Sequence, residues 1–149
     1  MSRVLHCMDD AALTHALDCQ PAVDAAIERV ILGLHPTVTI DGDRGIATFD
    51  PQPEHRGAPG WLHGGFAATL LDHFCARIAS KVLDARVATG TLDLRYRQPV
   101  LLDGGPFTLT GEAADPGSRT VRVAGRITDS ESRTLVEANA LFVGVAPLS

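Results

Sequence analysis

Residues 59–82 read PGWLHGGFAATLLDHFCARIASKV, and the fold follows from how that stretch is built. From Gly64 onward it contains no proline. Phe66, Leu70, Phe74, Ile78 and Val82 recur at helical spacing, and Leu71 and Cys75 widen the stripe. A helix over residues 64–82 with so broad an apolar face belongs in a core. The segment before it, PQPEHRGAPGWL over residues 51–62, has three prolines and two glycines, so it reads as a loop. A loop of that length is commonly functional.

On either side of this helix the sequence changes period. Between Pro36 and Asp50, β-branched residues flank Asp41-Gly42-Asp43, the pattern of two strands joined by a hairpin turn. After the helix come four segments rich in strand formers, roughly 86–97, 106–115, 119–129 and 133–145, separated by Gly, Pro and Asp clusters. In the first of these, Leu92, Leu94 and Tyr96 alternate with Asp93, Arg95 and Arg97, giving one apolar and one charged face. Residues 9–19 start with an Asp cap and repeat apolar residues at helical spacing, so a short helix is expected there, extending toward residue 30. This order predicts an α+β fold in which a curved antiparallel sheet wraps one long helix, as a single domain over residues 1–149.

Composition narrows the function. A chain of 149 residues, 45% hydrophobic and 21% charged, has the makings of a globular domain. A net charge of −5 argues against a general nucleic-acid binder, because phosphate binding needs a basic field. No apolar run suits a signal peptide or a membrane span, so a cytoplasmic protein with no membrane partner is expected. Cys7, Cys19 and Cys75 form no Cys-x-x-Cys and read as plain thiols. The six histidines show no metal-ligand spacing, and neither a metal nor another cofactor is expected.

Within residues 59–72 two features carry chemistry. Gly64-Gly65 opens the helix, where N–H groups lack internal partners and the dipole is positive, so a developing oxyanion is well held and glycine lets a ligand come close. The plain reading of the same glycines is a loop-to-helix transition. Asp72 lies inside an otherwise apolar helix, beside the small residues Gly65, Ala68, Thr69 and Ala76, which leave room for a ligand or a partner helix. The competing readings place it on a solvated edge or paired with Arg77. Seven residues separate Gly65 from Asp72, roughly 10 Å along a helix axis. One carbonyl does not touch both groups of a single chain, so a two-fold dimer in which each site borrows Asp72 from the other copy is the natural solution.

His63, Gly64, Gly65 and Asp72, with the lead-in over residues 57–62 and the segment Thr89-Gly90-Thr91-Leu92-Asp93-Leu94-Arg95-Tyr96-Arg97-Gln98-Pro99-Val100, resemble the hotdog-fold acyl-CoA thioesterases. Their nearest likeness is to the phenylacetate-pathway branch and the branch of thioesterase superfamily member 4. The resemblance spans residues 36–145. It implies a hotdog fold, an acyl-CoA or related thioester as substrate and a homodimer or tetramer. By it, the Gly65 amide binds the thioester oxygen, Asp72 of the facing subunit is general base or nucleophile, and Thr89 positions water. A thiolate is a good leaving group, so one carboxylate and one oxyanion site suffice.

Several relatives carry Asn or Gln where this chain has Gly57, which passes that position's task to His63, Trp61 or a backbone group. His63 either donates to substrate or moves a proton, or fixes the loop through a backbone contact. Strict alternation puts Thr89 on the charged face with Thr91 and Asp93, so its role requires a bulge at Gly90. Trp61, Phe66, Gly64 and Leu70 are candidates for the acyl pocket. Arg95, Arg97 and Lys81 either hold coenzyme A phosphates or merely solubilise the surface. Two functions compete: thioester hydrolysis, and non-catalytic acyl-CoA sensing or carriage on the same fold. A serine esterase is disfavoured because no Gly-x-Ser-x-Gly occurs.

Overall fold

The computed structural model describes residues 38–148, so the helix expected over residues 9–30 lies outside the described residues, as do Cys7 and Cys19. Strands β1 (Thr39–Asp41) and β2 (Arg44–Phe49) form the hairpin expected around Asp41-Gly42-Asp43. Gly42 takes φ +60°, a left-handed conformation that a tight two-residue connection needs and glycine adopts without steric cost. Helix α1 (Gly64–Leu83) follows, then β3 (Ala85–Tyr96), β4 (Phe107–Ala114), β5 (Thr120–Thr128) and β6 (Thr134–Pro147). All pairings are antiparallel, and the sheet order is β1-β2-β4-β5-β6-β3. This is the expected α+β arrangement of a curved sheet around one long helix.

The helix sits where its apolar stripe dictates. Leu70, Leu71, Phe74, Cys75 and Ile78 are fully buried against inward-facing residues such as Leu109, Val123, Ile127 and Phe142. Each large side chain so buried contributes about 1.5–3 kcal/mol. Asp84 stops the helix in a left-handed conformation, φ +49°, a region Asp tolerates better than most residues.

What seats α1 is a row of glycines across three neighbouring strands. Gly45 of β2 pairs with Gly111 of β4, which pairs with Gly125 of β5, and the row continues into Ala138 of β6. A Cβ on Gly111 would fall 2.6 Å from Ile78 Cδ1, one on Gly45 2.8 Å from the same atom, and one on Gly125 2.6 Å from Cys75 Sγ. The helix thus lies closer to the sheet than side chains in that row would allow.

Two details of β3 differ from strict alternation. Thr89 pairs with Phe142 and Thr91 with the adjacent Leu141, so Gly90 is left over as a bulge. The bulge turns Thr89 back toward the helix, away from the face carrying Thr91 and Asp93. Tyr96, expected on the apolar face, is 53% exposed because the last residue of β3 overhangs the start of α1.

Candidate active site

The start of α1 is a backbone construction held from several sides. His63 is the cap residue: its N–H donates to His55 O at 2.8 Å, its carbonyl accepts from Ala67 N, and its Nδ1 accepts from Gly65 N–H at 3.0 Å. Gly64 and Gly65 are the first two helical residues, whose N–H groups the helix itself leaves unsatisfied. No acidic side chain occupies the first turn, so the positive end of the dipole is not neutralised there. From the far side, Tyr96 Oη donates to Gly64 O at 2.6 Å. The imidazole therefore makes a backbone contact, and it makes it with the amide the sequence singles out as oxyanion donor.

Under this turn His55 stacks on Phe66, ring centroids 3.9 Å apart, with Phe49 beside both. His55 is buried, and its Nδ1 accepts from Gln52 N at 3.0 Å. Burial holds its pKa below the ordinary histidine value, a shift that the Glu54 charge partly opposes. Phe66 is consequently a packing partner of the loop.

Gly57, six residues before His63, is packed closely against it. A Cβ at Gly57 would lie 3.1 Å from His63 Cα, and the Gly57 N–H is spent on Trp61 O at 2.7 Å. Trp61 cannot take over as a donor in this conformation, because its Nε1 donates to Pro59 O at 2.8 Å.

Seven residues further along α1, Asp72 is half-buried and its Oδ1 accepts from Thr89 Oγ1 at 2.8 Å. The bulge at Gly90 makes this contact possible, and a Cβ there would press on Leu141 O at 3.2 Å. A carboxylate that accepts one hydroxyl at one oxygen keeps acceptor capacity for a water molecule, and the threonine oxygen has lone pairs to hold the same water. Nearby, the buried Cys75 thiol is pushed up to about 12, first by burial and then by the Asp72 charge. A thiol so raised is protonated at neutral pH, which removes Cys75 as a nucleophile.

A cavity of about 500 Å³ opens at the helix start. Trp61, His63, Gly64, Tyr96, Arg97 and Pro99 are among its lining residues. Of the candidate site residues, Trp61, His63, Gly64 and Arg97 come together here, with Gly65 adjoining, while Asp72 and Thr89 form a second locus deeper along the helix. Phe66 and Arg95 belong to neither group. Arg97 is ion-paired with Glu137 at 2.6 Å, so its guanidinium already has a carboxylate partner. Lys81 donates to Ile40 O at 2.9 Å, seventeen residues along α1 from Gly64 and thus roughly 25 Å away. It cannot share one phosphate with Arg97 of the same chain.

Another depression of about 620 Å³ lies on the sheet surface over the glycine row, with Arg44, Thr110, Glu112, Arg126 and Glu137 in its lining. It contains none of the candidate residues. Among the described residues no group of three His, Cys, Asp or Glu side chains is placed to hold a metal ion. Sequence reasoning overlooked His55 and Tyr96 as supports of the helix start. Tyr96 falls in the quoted strand segment, but no spacing rule says which backbone atom its hydroxyl will find.

Residues 59–136, more than half of the chain, match the family model of the thioesterase superfamily. Among solved structures, AziG of S. sahachiroi is 19% identical with a TM-score of 0.72, the match covering 78% of this chain and 94% of that one. A Streptococcus mutans UA159 protein solved with acetyl-CoA is 17% identical, TM-score 0.69, covering 78% and 93%. A hypothetical thioesterase of Streptococcus pneumoniae TIGR4 solved with coenzyme A is 20% identical, TM-score 0.68, covering 77% and 92%. Further structures of that protein carry an Asp-to-Ala and a Thr-to-Ala replacement. At these identities the likeness establishes the fold, a hotdog.

Proposed function

The chain belongs to the thioesterase superfamily, and on that premise we propose that it hydrolyses acyl-CoA, or a closely related acyl thioester, to the free acid and the thiol. The observation that carries this reading is the Asp72–Thr89 hydrogen bond of 2.8 Å on the same helix that begins with the Gly64-Gly65 turn. A water held by Asp72 and Thr89 attacks the thioester carbon as Asp72 accepts its proton. The Gly65 amide takes the oxyanion, and collapse expels the coenzyme A thiolate, which is then protonated. Direct attack by Asp72 followed by hydrolysis of the anhydride uses the same groups.

One continuous helix spans Gly64 to Leu83, which keeps Gly65 and Asp72 of one chain roughly 10 Å apart. That separation supports a site completed by Asp72 of a second copy. The twelve-residue strand β3 supports it too, since it lies at the edge of the sheet, where a second β3 can add across a two-fold axis. Coenzyme A bound to proteins of this fold supports an acyl-CoA substrate. The Asp and Thr replaced in the pneumococcal protein are the residue types that meet here. We place the chain with the phenylacetate-pathway branch and that of thioesterase superfamily member 4 on its residues 57–65 and 89–100, and we assign it to the cytoplasm.

A thiol-release assay over aliphatic and aromatic acyl-CoA substrates tests the reading. The wild type should turn over and Asp72→Asn should lose activity by at least about 100-fold, in line with removal of a general base. Near-normal rates for Asp72→Asn would refute the role of that carboxylate. The second reading, an acyl-CoA sensor or carrier, has one observation in its favour: His63 Nδ1 occupies the Gly65 amide. It predicts acyl-CoA binding by calorimetry with no turnover.

A further inference from the structure

Gly64 O and Gly65 N–H belong to the same peptide unit, and two side chains hold its opposite ends. Tyr96 Oη donates to the oxygen at 2.6 Å, and His63 Nδ1 accepts from the nitrogen at 3.0 Å. A peptide unit is planar, so fixing the oxygen fixes the direction of the N–H on the other side. A hydrogen bond to the carbonyl also polarises the amide and strengthens its N–H as a donor.

The two holds differ in what a substrate does to them. His63 Nδ1 stands where an acceptor for the Gly65 amide must stand, so a thioester oxygen reaching that amide takes the imidazole's place. Tyr96 approaches the other end of the unit and is not displaced. Its ring lies against Gly64, where a Cβ would meet it at 3.7 Å, and it forms one side of the cavity at the helix start.

We propose that Tyr96 is the positioning residue of the oxyanion site: it keeps the Gly64–Gly65 peptide aimed and polarised after the substrate has displaced His63. This rests on the thioesterase reading given above. His63 then serves as a resting-state acceptor that caps the helix until the thioester oxygen arrives. Because the contact is made by the hydroxyl, Tyr96→Phe removes the hold while retaining the ring that lines the cavity.

The test combines kinetics with an amide resonance. Labelling glycine with nitrogen-15 gives a spectrum limited to the 14 glycines of the chain, in which Gly65 is assigned by its disappearance in Gly65→Ala. In Tyr96→Phe, loss of the bond to Gly64 O should move the Gly65 nitrogen upfield while glycines remote from the helix start, such as Gly42 and Gly117, stay in place. Thiol release should show kcat lowered about tenfold with KM within about twofold, short of the 100- to 1000-fold lost when an oxyanion donor itself is removed. An unmoved Gly65 resonance overturns the proposal whatever the kinetics, and so does a shifted resonance with kcat within twofold of wild type. If the wild type releases no thiol from any acyl-CoA, the hydrolase reading fails and the role at an oxyanion site falls with it. The Gly65 shift then separates a hold that exists without hydrolysis from one that does not exist.

Discussion

Thr89 of β3 and Asp72 of α1 meet at 2.8 Å because β3 slips its register by one residue at Gly90, between Thr89 and Thr91. Without the slip Thr89 would share the outward face of Thr91 and Asp93. Replacing Thr89 with Val keeps the shape and removes the hydroxyl, so kcat should fall about tenfold or more while the protein stays folded, the scale of a lost proton-transfer or water-holding contact. Thermal melting and steady-state kinetics on one preparation check both halves, and full activity in Thr89→Val would show that Asp72 needs no partner there.

If each site takes Gly65 from one chain and Asp72 from the other, two inactive variants should repair one another. Mixing Asp72→Asn with Gly65→Ala under conditions that exchange subunits should restore about one quarter of wild-type activity, since half the dimers are mixed and each carries one intact site of two. Each variant alone should stay far below wild type, Gly65→Ala because its methyl, 3.0 Å from His63 Cε1, crowds the approach to an amide the backbone still carries. A mixture that stays inactive after proven exchange would place both groups in one chain's site.

The glycine row makes a sharp stability prediction. Gly125→Ala sets a methyl 2.6 Å from Cys75 Sγ, with Leu71 Cδ2 next at 3.6 Å. Overpacking of that kind costs about 1–3 kcal/mol, and Tm drops by about 2–4 °C for each kcal/mol in a chain of this size. Cys75→Ala added to Gly125→Ala removes the clashing sulfur and should recover most of the loss. A double variant as unstable as the single one would mean that the clash is not what Gly125 avoids.

The buried His55 links stability to pH. Burial lowers its folded-state pKa, so in acid the unfolded chain takes up that proton before the folded chain does. The His55 contribution is therefore complete above the unfolded value of about 6.5 and is lost as the pH falls below it, down to the folded pKa. Urea midpoints at pH 7.5 and pH 5.0 should differ more for wild type than for His55→Gln, and equal differences would assign the acid sensitivity to other groups.

Much of this was legible in the sequence. The helix over 64–82 was readable because its apolar residues keep a helical period, and α1 came out one residue longer at its end, while the four following strands were readable from runs of strand formers bounded by Gly, Pro and Asp clusters. The Asp41-Gly42-Asp43 hairpin was readable from turn chemistry. Asp72 stood out because an aspartate is out of place on that helix, and Thr89 became a partner only on condition of a bulge. What stayed hidden depends on register: Gly45, Gly111 and Gly125 are scattered along the chain and become neighbours only through strand pairing. Tyr96 and His55 were hidden because their tasks lie in bonds to particular backbone atoms, which leave no periodic trace. For Arg97 the sequence left phosphate binding and surface solubility open, and its ion pair with Glu137 at 2.6 Å depends on how the chain leaves β3, which no spacing rule states.

The row of glycines also sets where this protein can change its tastes. A side chain gained at Gly45, Gly111 or Gly125 must push aside Ile78 or Cys75 on the helix that bears both Gly65 and Asp72, so under the proposed hydrolysis variation at the seat bears on both halves of the site. Trp61 and Pro99 line the cavity at the helix start, outside the glycine row. Under the proposed hydrolysis, acyl preference can drift, or be engineered, at those walls while the helix that bears Gly65 and Asp72 keeps its station.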